Sequence, residues 1–160
     1  MKIKGLTDED FVNYKKPSMF IIFPFCSFKC EKESGVMCCQ NSSLAHAKII
    51  DISEEKLILR YLDNPITKAI VCGGLEPMDS FDELCGFIKS LRVDYKCLDD
   101  VVIYTGFNKA EIEDKIQILK QYPNIIIKYG RFIPNQESHK DDVLGIELAS
   151  PNQYAEELSC

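Results

Sequence analysis

Four cysteines, Cys26, Cys30, Cys38 and Cys39, fall within fourteen residues of the stretch "CSFKCEKESGVMCCQN". Thiolates are soft ligands, and at this density they point to a metal site. Two chemistries compete. Tetrahedral zinc favours two Cys-x2–4-Cys pairs, or one such pair with histidines. Cys26 and Cys30 form such a pair, but the second would be the adjacent Cys38 and Cys39, which rarely aim at one ion. The two histidines, His46 and His139, are not in a paired spacing. A cubane iron–sulfur cluster is the alternative. With three cysteine ligands it leaves one iron open, which suits a cysteine-rich loop fed by an apolar strand.

The rest of the chain sets the context. Its 160 residues are 46% hydrophobic and 28% charged, an ordinary globular composition of single-domain size. The net charge of −6 disfavours nucleic acid as the main partner. No apolar run reaches the length of a membrane span, and "MKIKGLTDEDF" lacks the apolar core of a signal peptide, so a cytoplasmic protein is expected. In that reducing compartment clustered cysteines read as ligands or catalytic groups rather than bridges. Of the eight cysteines, Cys72 and Cys85 read as small buried hydrophobes, while Cys97 and Cys160 carry no signal.

There is no repeat, low-complexity tract or linker, so residues 1–160 read as one domain. Apolar runs predict strands over 18–25, 66–74, 100–107, 124–132 and 142–150. Helical spacing predicts helices over 52–64, 80–92 and 108–122, with Ser53 capping the first and Ser80 and Glu83 forming a capping box on the second. Alternating strands and helices argue for a mainly parallel sheet covered by helices. Three strands end at Cys26, Gly73–Gly74 and Gly106, the C-terminal rim where such folds build their sites. Five to six strands are too few for a closed eight-stranded barrel, so the expected fold is α/β, a partial, open (β/α) barrel, with the tail from 133 onward folding over the rim.

These features together resemble the radical S-adenosylmethionine enzymes, and most closely their small activases of anaerobic ribonucleotide reductase. "SMFIIFPF" leads into "CSFKC" as the family's strand leads into its Cys-x3-Cys. "CQN" (39–41) resembles the closing Cys-x-Asn, and "GGLEP" (73–77) the glycine-glycine-acid-proline motif. "VIYTGF" (102–107), "KYGRFI" (128–133) and "LASPNQ" (148–153) resemble later motifs in the same order. The chain departs from the pattern in three places, one being that the usual lysine- or glycine-rich approach to the third cysteine is absent. "EKESGVM" (31–37) delays the third cysteine, and Leu75 is an extra residue before Glu76, so loop geometry must differ.

The resemblance implies that Cys26, Cys30 and Cys39 hold three irons of a [4Fe-4S] cluster; Cys39 is chosen by its "CQN" ending, with Cys38 either the alternative third ligand or a small filler. It implies that S-adenosylmethionine binds the fourth iron and is reductively cleaved to a 5′-deoxyadenosyl radical. Glu76 would take the ammonium of S-adenosylmethionine, Gly73 and Gly74 would admit it closely, and Pro77 would fix the turn. Asn41, Thr105 and Asn152 are candidates for polar contacts. Arg131 reads as a contact to the ligand carboxylate or a partner, or as a solvated surface residue. Phe23, Phe25 and Phe28 are candidates for apolar shielding. The implied partners are a glycyl-radical enzyme subunit, namely anaerobic ribonucleotide reductase, and an electron donor such as flavodoxin. A radical enzyme acting on a small molecule or peptide, and a non-catalytic metal-binding module of the same fold, are the alternatives.

Overall fold

The computed structural model describes residues 1–159. The elements in chain order are β1 (Lys2–Ile3), β2 (Gly5–Asp10), β3 (Ser18–Phe23), α1 (Lys29–Ser34), β4 (Ile50–Asp51), α2 (Glu54–Leu62), β5 (Ala69–Gly74), α3 (Phe81–Lys89), β6 (Asp100–Tyr104), α4 (Glu113–Leu119), β7 (Ile125–Tyr129), β8 (His139–Asp141), β9 (Ile146–Leu148) and β10 (Tyr154–Ser159). The chain is mixed α/β, built on a six-stranded sheet of order β10-β7-β6-β5-β3-β2. The inner four strands, β3, β5, β6 and β7, are parallel to one another, and β2 and β10 flank them antiparallel.

The parallel strands follow one another across the sheet in sequence order, and parallel crossovers share one hand. Successive helices therefore fall on a single face. There α2, α3 and α4 bury Leu57, Tyr61, Phe87 and Ile116 against Met19, Ile21, Phe23 and Ile103. The other face carries Ala69, Val71, Val102 and Ile126, packed with Tyr14, Leu144 and Leu148 from the β2–β3 connection and the β8–β9 hairpin. No helix among the described residues is long and apolar enough to cross a membrane.

Local chemistry explains the helix ends. The Ser53 hydroxyl accepts from the Lys56 amide at 3.2 Å and caps α2. Ser80 makes no such bond. The chain enters α3 through a 3-10 turn, Pro77–Ser80, and Glu76 caps that turn by accepting from the Met78 amide at 3.0 Å. The cap thus moves upstream onto a residue of the cavity wall. Beyond α3 a π turn, Ser90–Asp94, buries Leu91 and Arg92.

The expected strand over 142–150 is not part of the main sheet. Its residues fall in the β8–β9 hairpin, turned by Gly145 at φ 73°. The outer strands are instead "GLTDED" and "YAEELS". Both are charged edge strands with one side open to water, so they lack the apolar run that marks a doubly buried strand.

Gly74 is required by this packing. Its φ is +81°, and a Cβ there would lie 2.6 Å from Ile22 Cγ2 and 3.2 Å from Ile22 Cα. Gly74→Ala therefore combines backbone strain with overpacking, an expected loss of about 2–5 kcal/mol by urea denaturation of the cluster-free protein. Gly35→Ala is the control: φ is +70° but nothing lies within 4 Å, so only about 1–2 kcal/mol is expected.

Candidate functional site

The C-terminal ends of the parallel strands open into a cavity of about 620 Å³. Its wall includes Cys26, Cys30, Cys39 and Asn41 from the cysteine loop, Gly74, Leu75 and Glu76 after β5, and Thr105 after β6. Seven of the ten site residues anticipated from sequence thus share one cavity. Gly73 does not line it: the space left by its missing side chain is taken by the Phe20 ring and Tyr104 Cβ. Pro77 is buried below, opening the 3-10 turn. Asn152 faces a neighbouring pocket, and its side-chain amide donates to the Arg131 carbonyl at 2.8 Å.

The cysteine loop accommodates its extra residues by coiling. Residues Lys29–Ser34 form α1, which ends at Gly35 in a left-handed conformation whose amide donates to the Glu31 carbonyl at 2.9 Å. The Glu31 carboxylate accepts from the Cys39 amide at 3.3 Å, drawing the chain back beside Cys30. The insertion is therefore a closed excursion that returns the last cysteine to the cavity. Cys38 lies outside that lining, with its Sγ 3.3 Å from Ser34 Oγ and 3.9 Å from the Cys30 carbonyl. At the other end of the loop, the Phe28 amide donates to Cys26 Sγ at 3.3 Å and the Ser27 amide to Asp79 Oδ2 at 2.6 Å. Phe28 itself is held at φ 52°, a conformation bulky residues avoid.

Burial pushes the Cys26 thiol up to about 12 and the Cys30 thiol up to about 11, and the nearby Cys39 adds to both shifts. Such thiols keep their protons until a metal displaces them. Cys26, Cys30, Cys38 and Cys39 are all free. Among the described residues, no three His, Cys, Asp or Glu side chains close on a point the size of one ion. Around zinc, thiolates at about 2.3 Å from the metal would stand only ~3.8 Å from one another. The donor set, three soft thiols around one roomy cavity, suits the wider cubane.

Glu76 is the acid of the site. It is buried, accepts from the Gly106 amide at 2.8 Å and the Met78 amide at 3.0 Å, and is bonded to the Thr105 hydroxyl. Burial nevertheless pushes its carboxyl up to about 7. Its amide donates to the Phe25 carbonyl at 2.8 Å, tying the β5 turn to the start of the cysteine loop. The extra residue Leu75 forms part of the wall.

One cavity residue escaped the sequence reading. Lys128 sits in the fully buried strand β7, and its ammonium donates to the Gly130 carbonyl at 3.0 Å. Burial pulls it down to about 8, and the charge of Glu76 opposes the fall. A lysine inside the run "IIIKY" is the signal that marks it, because lysine is almost never buried without a purpose. The shielding aromatics also differ. Phe23 lies under the helices and Phe25 is 45% exposed, while Phe20, Tyr104, Phe107 and Phe132 line the cavity. Side chains alternate along a strand, so Phe20 and Phe23 on β3 face opposite ways.

The family model described as "4Fe-4S single cluster domain" matches residues 18–153, which includes every element from β3 to β9. No curated protein matches the chain, and no solved structure does.

Proposed function

Because the chain belongs to the 4Fe-4S single cluster domain family, we propose that it is a radical S-adenosylmethionine protein whose cluster is held by Cys26, Cys30 and Cys39. Bound together, the cluster and S-adenosylmethionine supply one-electron reductive cleavage to a 5′-deoxyadenosyl radical. The observation that carries the reading is the union of three free thiols with a buried carboxylate and a buried ammonium on one cavity at the C-terminal rim.

The chain's own residues then have defined tasks. Glu76 and Lys128 present opposite charges to the same space, the complement of an amino-acid zwitterion. An incoming ammonium neutralises Glu76 and favours its ionised form; an incoming carboxylate does the same for the Lys128 cation. Both groups are penalised by burial when alone, so the ligand's head group relieves two costs at once. Gly106 keeps the wall free of a side chain beside Glu76, whose Oε2 lies 3.5 Å from where a Cβ would stand. The aromatic lining of Phe20, Tyr104, Phe107 and Phe132 excludes water from the reacting centre.

The partner in this proposal is a glycyl-radical enzyme subunit, of the anaerobic ribonucleotide reductase kind, with a flavodoxin-like electron donor. Support comes from the family resemblance and from the order in which its motifs fall along the chain. Anaerobic reconstitution with iron, sulfide, S-adenosylmethionine and dithionite is the test. The expected product is 5′-deoxyadenosine, and with the partner present a glycine-centred signal in electron paramagnetic resonance. A protein that loads four iron and four sulfide yet forms no 5′-deoxyadenosine would refute the enzyme. 5′-Deoxyadenosine without a glycyl signal would redirect the target to a small molecule or peptide.

A further inference from the structure

The sequence leaves the 31–37 insertion without a purpose and Arg131 without a partner, and the structure joins the two. Helix α1, which carries Cys30, buries none of its residues, and no side-chain hydrogen bond caps it. A six-residue helix has little stability of its own. What secures it to the body is charge. Lys29 and Glu33 are four residues apart and share a helix face. Glu33 Oε2 lies 3.0 Å from Arg131 Nε, an ion pair rather than an aligned hydrogen bond. Lys29 Nζ lies 3.5 Å from Glu111 Oε1 and 4.4 Å from the centroid of the Phe107 ring.

Arg131 is the hub. Its side chain is only 8% exposed, and its two terminal nitrogens donate to the Glu111 carboxylate at 2.8 and 2.7 Å. Glu111 is oriented in turn by the Asn108 amide, which donates to Oε2 at 2.8 Å. The Arg131 carbonyl accepts from Asn152, so the backbone that presents the guanidinium is also braced. A forked guanidinium serves two carboxylates in fixed directions, as a single ammonium cannot. The bidentate pair with Glu111 anchors Arg131 to the body, and the remaining nitrogen reaches out to Glu33.

We propose that Lys29, Glu33, Glu111 and Arg131 form a latch that holds the Cys30-bearing helix against the cavity, with Arg131 as its positioning residue. The insertion supplies Glu33, the outer half of the latch. The proposal rests on the cluster reading only for its consequence; the latch itself is a property of the polypeptide.

Amide hydrogen exchange on the cluster-free protein therefore comes first. Arg131→Gln is expected to raise exchange across residues 29–39 at least tenfold while β5, β6 and β7 keep their protection. Arg131→Lys is expected to behave like Arg131→Gln, because charge without the fork does not rescue. Glu33→Gln, at a position whose side chain is 59% exposed, is expected to loosen α1 alone by several-fold. Reconstituted Arg131→Gln should also lose iron to a chelator several-fold faster, with a shifted paramagnetic spectrum of the reduced cluster. Unchanged exchange in 29–39 in both Arg131→Gln and Glu33→Gln overturns the latch, as does protection lost equally along β6 and β7. Loosened loops in a protein that never binds iron would uphold the latch and refute the cluster function.

Discussion

Cys39→Ala is expected to lose the iron–sulfur cluster, and Cys38→Ala to keep it, retaining close to four iron and four acid-labile sulfide per chain. The two residues are neighbours in sequence but not in environment. Cys39 lines the cavity with Cys26 and Cys30, and its amide is drawn into place by Glu31. The Cys38 thiol points back toward Ser34 and the Cys30 carbonyl, outside that lining. A slip of one residue that brought Cys38 inward would break the bond from the Cys39 amide and unwind the return from α1. Removal of a direct ligand should cost more than the roughly 10–100-fold that supporting residues cost in metal affinity. Iron and sulfide analysis after anaerobic reconstitution decides it. Retention in Cys39→Ala with loss in Cys38→Ala would reverse the assignment.

Glu76→Gln separates ligand binding from cluster loading. The variant should load iron as the parent does, since Glu76 bonds to backbone amides and Thr105 rather than to the cysteine thiols. Loss of a charge-assisted contact to an ammonium is worth about 1.5–3 kcal/mol, so the concentration of S-adenosylmethionine needed for half-maximal 5′-deoxyadenosine formation should rise on the order of 10–100-fold. The same variant has a pH signature in the cluster-free protein. Burial raises the folded-state value of Glu76 from 4.5 to about 7, so the fold favours the protonated carboxyl. That stability is fully present below pH 4.5 and is lost as pH rises through 7, up to about 3 kcal/mol in all. The Gln side chain does not titrate, and its urea midpoint should lack this fall. Parallel profiles for the two proteins would show that Glu76 is not the buried acid described.

The legible parts of the molecule were those written in local, apolar pattern. "SMFIIF" announced β3 because an inner strand carries a nearly continuous apolar run, and the glycines that end β5 announced a rim, where the backbone of Gly74 at φ +81° needs one. Glu76 stood out through the resemblance of "GGLEP" to a glycine-glycine-acid-proline motif. What stayed hidden depends on distant chain or on direction. Nothing near Arg131 in sequence reveals that Glu33 and Glu111 will meet on it. Strand alternation turned Phe23 away from the cavity and left Phe20 facing the opposite side. Gly73 and Asn152 each lie one residue from the cavity lining, a difference that motif spacing does not resolve. The edge strands β2 and β10 were missed because their charges are what keep them single, and charge erases the apolar signal.

The placement of the β8–β9 hairpin and β10 also has a consequence for biosynthesis. The cavity wall contributed by Ile146, Leu148, Ala149 and Gln153 is encoded about a hundred residues after Cys39. At ribosomal speeds that gap lasts roughly 5–20 s. Throughout it the nascent chain carries its thiols beside an unfinished wall, open to whatever delivers iron and sulfide and equally to oxidants. Once Tyr154–Ser159 adds to the outer edge of β7, the enclosure is complete. The thiols of the cysteine loop therefore emerge well before the last wall that covers them.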